Sequence, residues 1–133
     1  MPIKYKYDKK IDLEQLHELF KSVDWESAKY PEKLQLAMEK SHQVITAWDG
    51  EKLIGLINAL SDGVMTVYFH YMLVHPDYQR KDIGKKLMNL MLDKYESYPT
   101  KVLISYEAAI DFYIRRGFKT EEGTTPLYIT DLV

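Results

Sequence analysis

The sequence predicts an α/β chain of the α+β kind, with one mixed, mostly antiparallel sheet of about six to seven strands and helices on both faces. Two observations carry this prediction. Glycine-bearing turns at Asp49-Gly50 and Ser61-Asp62-Gly63 separate β-rich runs over 44–48, 53–60 and 64–74, the layout of consecutive antiparallel hairpins. After residue 74 the pattern changes to loop, helix, strand and helix, which makes the sheet mixed and sets helices against it. A length of 133 residues with 46% apolar composition suffices for one core and falls short of two typical domains, so 1–133 reads as one domain.

In chain order, Ile3, Tyr5 and Tyr7 alternate with lysines, a half-buried strand pattern. Asp12 with Gln15 has the form of a capping box, and Leu13, Leu16, Leu19, Phe20 and Val23 mark one face of a first helix. Pro31 suits the first turn of a second helix carrying Leu34, Ala37 and Met38. The three β-rich runs follow, and then a helix from about Gly84 to Tyr95. A short strand over Val102–Ser105, a helix over Ala108–Arg116 and two closing strands near Phe118 and at Leu127–Thr130 complete the chain.

Composition excludes several classes of function. Lys and Arg number 18 against 20 Asp and Glu, and a net charge of -2 argues against a nucleic-acid partner. The absence of cysteine removes a disulfide framework, a thiolate metal site and a Cys nucleophile together. No apolar run at the N-terminus resembles a signal peptide, and none approaches the ~20 residues of a membrane span. A cytoplasmic protein with no membrane partner is therefore expected.

The stretch Val74–Leu92, VHPDYQRKDIGKKLMNLML, joins a strand end, a basic loop containing Pro76 and a helix whose apolar positions include Ile83, Leu87, Leu90 and Met91. The unpaired amides of a helix's first turn and its dipole suit an anion, and Arg80, Lys81, Lys85 and Lys86 add charge. The same residues also fit a plain helix start with a solvated face. Neither G-x-x-x-x-G-K-[ST] nor G-x-G-x-x-G occurs. A second motif, AIDFYIRRGF at Ala109–Phe118, bears on the choice.

With both motifs, the chain resembles the GCN5-related N-acetyltransferase (GNAT) family. Val74, Pro76, Gln79 and Gly84 match its V-x-P-x-x-[QR]-x-x-G-x-[GA] signature, and Ala109, Phe112, Tyr113, Gly117 and Phe118 match its later A-x-x-F-Y-x-x-x-G-F pattern. Asp82 stands where the first loop glycine belongs, and Tyr106 where the family often has Asn. The resemblance covers roughly residues 40–130. It implies a sheet splayed between its fourth and fifth strands, with acetyl-CoA in the gap. The donor would be held by the backbone of Met72, Leu73 and Val74, by the loop and first helical turn from Gln79 through Arg80, Lys81, Asp82, Ile83 and Gly84 to Lys85, and beside Phe112. It also implies that the Tyr113 hydroxyl reaches the sulfur of CoA.

Transfer of an acetyl group to an amine poses a proton problem. An alkyl ammonium of pKa about 10.4 is neutral only about once in 10³ molecules at pH 7, a handicap of roughly 4 to 5 kcal/mol. Period-two alternation puts Tyr68, His70 and Met72 on one face of the 64–74 run, with Val67, Phe69 and Tyr71 on the other. His70 is the candidate base, and histidines occupy the cleft side of this strand in the arylalkylamine branch of the resembled family. With no cysteine for an acyl-enzyme, direct attack in a ternary complex is the economical route. Trp25, Tyr30, Tyr68 and Tyr71 are candidates to line an acceptor pocket for a small-molecule primary amine. Acetylation of a protein N-terminus or lysine, or a non-catalytic CoA-binding module on the same fold, stays open. A homodimer is compatible with the sequence.

Overall fold

The computed structural model describes residues 2–132. Strands β1 (Lys4–Lys6), β2 (Gln43–Asp49), β3 (Lys52–Ser61), β4 (Thr66–Val74) and β5 (Thr100–Leu103) form one sheet in sequence order. The first four pair antiparallel, and β5 pairs parallel to β4. Helices α1 (Leu13–Ser22) and α2 (Pro31–Lys40) cover one face, α3 (Ile83–Lys94) covers the other, and a short α4 (Ile110–Ile114) follows β5.

Two apolar clusters explain this layering. Leu16, Leu19, Phe20, Leu34 and Met38 pack on Val44, Leu53, Leu56 and Leu73, while Ile83, Leu87, Met88 and Met91 pack on Ile45, Ile54, Ile57 and Phe69. β3 lies between them, so seven consecutive residues from Leu53 to Ala59 are buried. A strand covered on both faces reads as a continuous apolar run. Gly55 sets the approach of α3, because a Cβ there would stand 3.1 Å from Leu87 Cδ1 and 3.3 Å from Ile83 Cγ2.

The Asp12 side chain caps α1 by accepting from Gln15 N at 3.1 Å. Gln15 does not return the bond as a capping box would; its Oε1 accepts from Leu53 N at 2.9 Å and ties the helix to β3. The Asp62 carboxylate accepts from the amides of Val64, Met65 and Thr66, closing the turn into β4. Those three bonds hold its pKa below the ordinary value.

The sheet departs from the predicted strand count, with five strands among the described residues. No ladder forms near Phe118 or at 127–130. Residues 119–125 are polar with Gly123 in a positive-φ turn, and Pro126 has no N–H to give to a ladder. Strand-like alternation nevertheless persists: Tyr128 and Thr130 line a cavity, while Leu127 and Ile129 are 92% and 105% exposed. β5 also sits two residues earlier than expected. The predicted last helix is a 3-10 turn at Glu107–Ala109 followed by α4.

Strict alternation along β4 fails at its centre. Ile57 faces Met72 and Ala59 faces Phe69, so β3 advances two residues while β4 advances three. One extra residue makes a β-bulge. Before it Val67 and Phe69, and after it Met72 and Val74, pack toward α3, whereas Tyr71 and Leu73 join the α1–α2 cluster. Met72 therefore does not share a face with His70, and Tyr71 does not share one with Phe69, contrary to the period-two reading.

Candidate active site

Pairing between β4 and β5 runs from Thr66–Thr100 to Phe69–Leu103 and stops there. Beyond Phe69 the strands part around a cavity of about 710 Å³, walled by Phe69 to Met72 on one side and by Leu103 to Tyr106 on the other. His75 N donates to Ile54 O at 2.8 Å, so strand alternation turns the amides of Val74 and Met72 away from β3 and toward the gap. Gln79 Nε2 donates to Val74 O at 3.1 Å, which fixes the strand end to the loop. An extended acyl-amide chain could pair with this open edge as an added strand.

The loop after β4 reaches α3 through two left-handed residues, Arg80 at φ 67° and Asp82 at φ 60°. The conformation a glycine would supply is thus adopted by Asp82 itself, whose side chain makes no capping bond. Lys86 N donates to Asp82 O at 3.0 Å, closing the first turn of α3 and leaving the preceding amides of Ile83, Gly84 and Lys85 without intrahelical partners. Unpaired amides at a helix N-terminus favour an anion such as a pyrophosphate. Lys81 lies 5.6 Å over the Tyr78 ring. A Cβ on Gly84 would meet Met72 Cε at 3.1 Å, Val74 Cγ2 at 3.8 Å and Phe112 Cζ at 3.9 Å, so Gly84 lets α3, the β4 edge and α4 converge. The side chains of Gln79 through Lys85 stay outside the cavity lining.

His70 and Tyr113 both line the cavity. The bulge sets the His70 ring against Tyr71 at 4.0 Å and 26°, and against Tyr68 at 5.4 Å and 27°. The residue as a whole stays exposed, and the water lost from the stacked side of the ring disfavours its cation and lowers the pKa from the ordinary imidazole value. A neutral imidazole is the form that can accept a proton at neutral pH. Tyr113 packs edge-on against Phe112 and Phe118, with centroids at 5.1 and 6.0 Å. Burial raises its pKa above 10, which keeps the hydroxyl a donor.

The predicted acceptor residues divide. Trp25, Tyr68 and Tyr71 line the cavity, whereas Tyr30 lines an adjoining groove of about 410 Å³ that shares Ser27 and Tyr71. Tyr71 hydroxyl and Ser27 Oγ are hydrogen-bonded at 2.7 Å, and Trp25 lies 6.0 Å from both Phe20 and Tyr71. Trp25 also meets Tyr106, at 6.2 Å, from the opposite wall. Asp24, Glu26, Tyr128 and Thr130 line the cavity without a sequence-based role, and so does Tyr106, which the sequence marked only as a departure from the family pattern. Asp24 and Glu26 flank Trp25, the predicted acceptor residue, whereas Tyr128 and Thr130 arrive by the path of the C-terminal segment. Asp24 holds φ 56° at the end of α1, and Glu26 pairs with Lys29 at 2.8 Å. No lysine or arginine is among the described lining residues, so the acceptor wall is acidic and aromatic while the donor loop is basic.

The sequence profile of the acetyltransferase (GNAT) domain matches residues 9–125. An uncharacterized N-acetyltransferase ycf52 from Pyropia yezoensis is 26% identical over 129 residues, covering 91% of this chain and 73% of that protein. The chain spans 64% of the length of the corresponding Gracilaria tenuistipitata var. liui protein, at 28% identity over 84% of this chain. A GNAT family acetyltransferase from Streptococcus pneumoniae TIGR4 superposes with a TM-score of 0.84 at 29% identity, over 98% of this chain and 99% of that one. An aminoglycoside acetyltransferase from an uncultured soil metagenomic sample shares the fold, with a TM-score of 0.74 at 24% identity over 96% and 95% of the two chains.

Proposed function

We propose that this chain, which belongs to the GNAT acetyltransferase domain family, transfers an acetyl group from acetyl-CoA to a primary amine of a small cationic molecule by direct attack in a ternary complex. The observation that carries the reading is the cavity where β4 and β5 part: the β4 edge at Met72 lines it together with acidic and aromatic residues, and the anion-suited loop follows the same strand just beyond that lining. Asp24 would favour an ammonium, Glu26 being paired with Lys29, and Trp25, Tyr71 and Tyr106 would cover its carbon skeleton with favourable cation–π contact. The shared fold of the aminoglycoside acetyltransferase supports an amine-bearing small molecule as the acceptor.

In this reading His70 accepts the proton that the ammonium must lose before its nitrogen can attack the thioester carbonyl. The C–N bond forms as the C–S bond breaks, the electron pair leaves on sulfur, and the nitrogen gives its second proton to solvent to become the neutral amide. Tyr113 donates a hydrogen bond to that thiolate. Its pKa lies above the ~8.5 of a thiol, so the proton moves late or arrives from solvent. The amides of Ile83 to Lys85 hold the donor's pyrophosphate, and the Met72 and Val74 backbone aligns its acyl arm.

The test is a melting experiment with acetyl-CoA, followed by free-thiol release across polyamines, arylalkylamines, aminoglycosides, amino acids and a lysine peptide. Ligand at 100 times its dissociation constant is expected to stabilise the fold by about 2.7 kcal/mol. No shift at millimolar acetyl-CoA would overturn donor binding. Thiol release with the peptide alone would replace the small-molecule acceptor by a protein.

A further inference from the structure

We infer that Asn58, held by Ser41, is the positioning residue that sets the β4 bulge and through it aims both the donor edge and the acceptor loop. Asn58 lies on β3 and is only 2% exposed, one of four buried polar side chains in the described core. Its Oδ1 accepts from Tyr71 N at 2.7 Å, and its Nδ2 donates to Ser41 Oγ at 3.1 Å. The amide orientation is fixed by chemistry, because the Tyr71 N–H can only donate and so must meet the oxygen. Ser41 Oγ in turn donates to Ala37 O at 2.8 Å, anchoring the chain of bonds at the end of α2.

The Tyr71 amide is the group by which Asn58 holds the bulge. Where β4 advances three residues against two, regular pairing lapses between Ile57–Met72 and Ala59–Phe69, and there the Asn58 side chain on the facing strand accepts from the Tyr71 amide. Two consequences meet at the site. Downstream, the bulge turns Met72 and Val74 toward α3, where Met72 and Val74 touch the space above Gly84. On the other face it stacks His70 on Tyr71 at 4.0 Å, and the Tyr71 hydroxyl bonds to Ser27 in the acceptor loop at 2.7 Å. A leucine at position 58 would fill the volume yet take away the oxygen that accepts from the Tyr71 N–H. The catalytic part of the inference rests on the proposed acetyl transfer; the structural part does not.

Asn58→Leu, Asn58→Asp and Ser41→Ala are compared by melting, by amide exchange at Tyr71, by the nuclear Overhauser contact between the His70 and Tyr71 rings, and by kinetics. In folded Asn58→Leu the ring contact is expected to vanish, Tyr71 exchange to rise about 10-fold or more, and kcat to fall about 10-fold with a smaller change in KM for acetyl-CoA. Asn58→Asp retains an acceptor for Tyr71 and is expected to recover the ring contact and at least about half of the lost logarithm of kcat. Ser41→Ala, which loosens Asn58 without removing it, decides the matter if the Leu variant does not fold; a Tyr71 exchange rate about 3-fold faster is expected. An unchanged ring contact and kcat in folded Asn58→Leu, or unchanged Tyr71 exchange and kcat in Ser41→Ala, would overturn the inference. If the wild type acylates no amine, the proposed function fails alone, because exchange and ring contact need no substrate.

Discussion

Replacing Asp82 by glycine tests whether the donor loop works through its backbone or through this side chain. Asp82 stands at φ 60°, ψ 15°, exposed, with no capping bond from its carboxylate. A left-handed L-residue costs about 1–2 kcal/mol, with Asp toward the low end, and glycine removes that strain. Against this, glycine adds about 0.4–1 kcal/mol of freedom to the unfolded chain, and losing a carboxylate at a helix N-terminus forfeits about 0.3–1 kcal/mol. The terms offset, so the melting point without ligand is expected to stay within what about 1 kcal/mol would shift. Binding should respond more. At ~6 Å and a dielectric near 80, suited to an exposed group, one carboxylate against one phosphate charge costs about 0.7 kcal/mol, so its removal should tighten acetyl-CoA about 3-fold. Calorimetry at low and high salt gives the check, because screening should shrink the gain. Weaker binding at both salt concentrations would mean that the carboxylate organises the loop, and the backbone argument would be refuted.

Tyr113→Phe is expected to lower kcat about 10- to 100-fold while leaving acetyl-CoA affinity nearly unchanged, since the hydroxyl acts on charge that develops at sulfur; slowed turnover with intact calorimetric binding is the readout. Burial raises the Tyr113 pKa, so its hydroxyl should remain a donor across the neutral range and leave no ionisation of its own in the pH–rate profile below about 10. His70→Ala should cost most near neutral pH, where the lowered pKa already leaves the imidazole unprotonated and free amine is scarce, and least at alkaline pH. A loss that is flat with pH would assign His70 to packing. Gly55→Ala should destabilise the fold by about 1–3 kcal/mol, because the new methyl enters the α3 contact at 3.1 Å from Leu87 Cδ1 and the β-branched Ile83 cannot swing clear; urea unfolding measures it.

Local chemistry made much of the fold legible. Asp12, Pro31, Asp49-Gly50 and Asp62 each act on their own neighbours within a few residues, and the elements they bound lie where the sequence places them. Gln15 shows the limit. Its spacing from Asp12 says capping box, but a better donor, the Leu53 amide, waits on a strand 38 residues away. The closing strands fail for a related reason: Leu127–Thr130 carries a strand pattern, yet a strand needs a partner edge, and pattern alone cannot state which edge is free.

The candidate site divides along the same line. The donor loop was readable because its work falls to consecutive backbone amides, whose sequence cost is a turn and a helix start; Asp82 could replace glycine because the conformation, rather than the residue, is what the loop needs. The acceptor wall was not readable as a set, since Asp24, Tyr106 and Tyr128 come from three distant segments and meet only across the gap. The bulge is the deepest case. Period two along β4 sorts Tyr68, His70 and Met72 onto one face, and nothing in β4 itself contradicts it. The extra residue is tolerated because a polar side chain on another strand takes up the Tyr71 amide, so the information that orients His70 sits at Asn58 and Ser41. A buried asparagine opposite a strand centre therefore says more about which way that strand faces than the alternation of the strand's own residues.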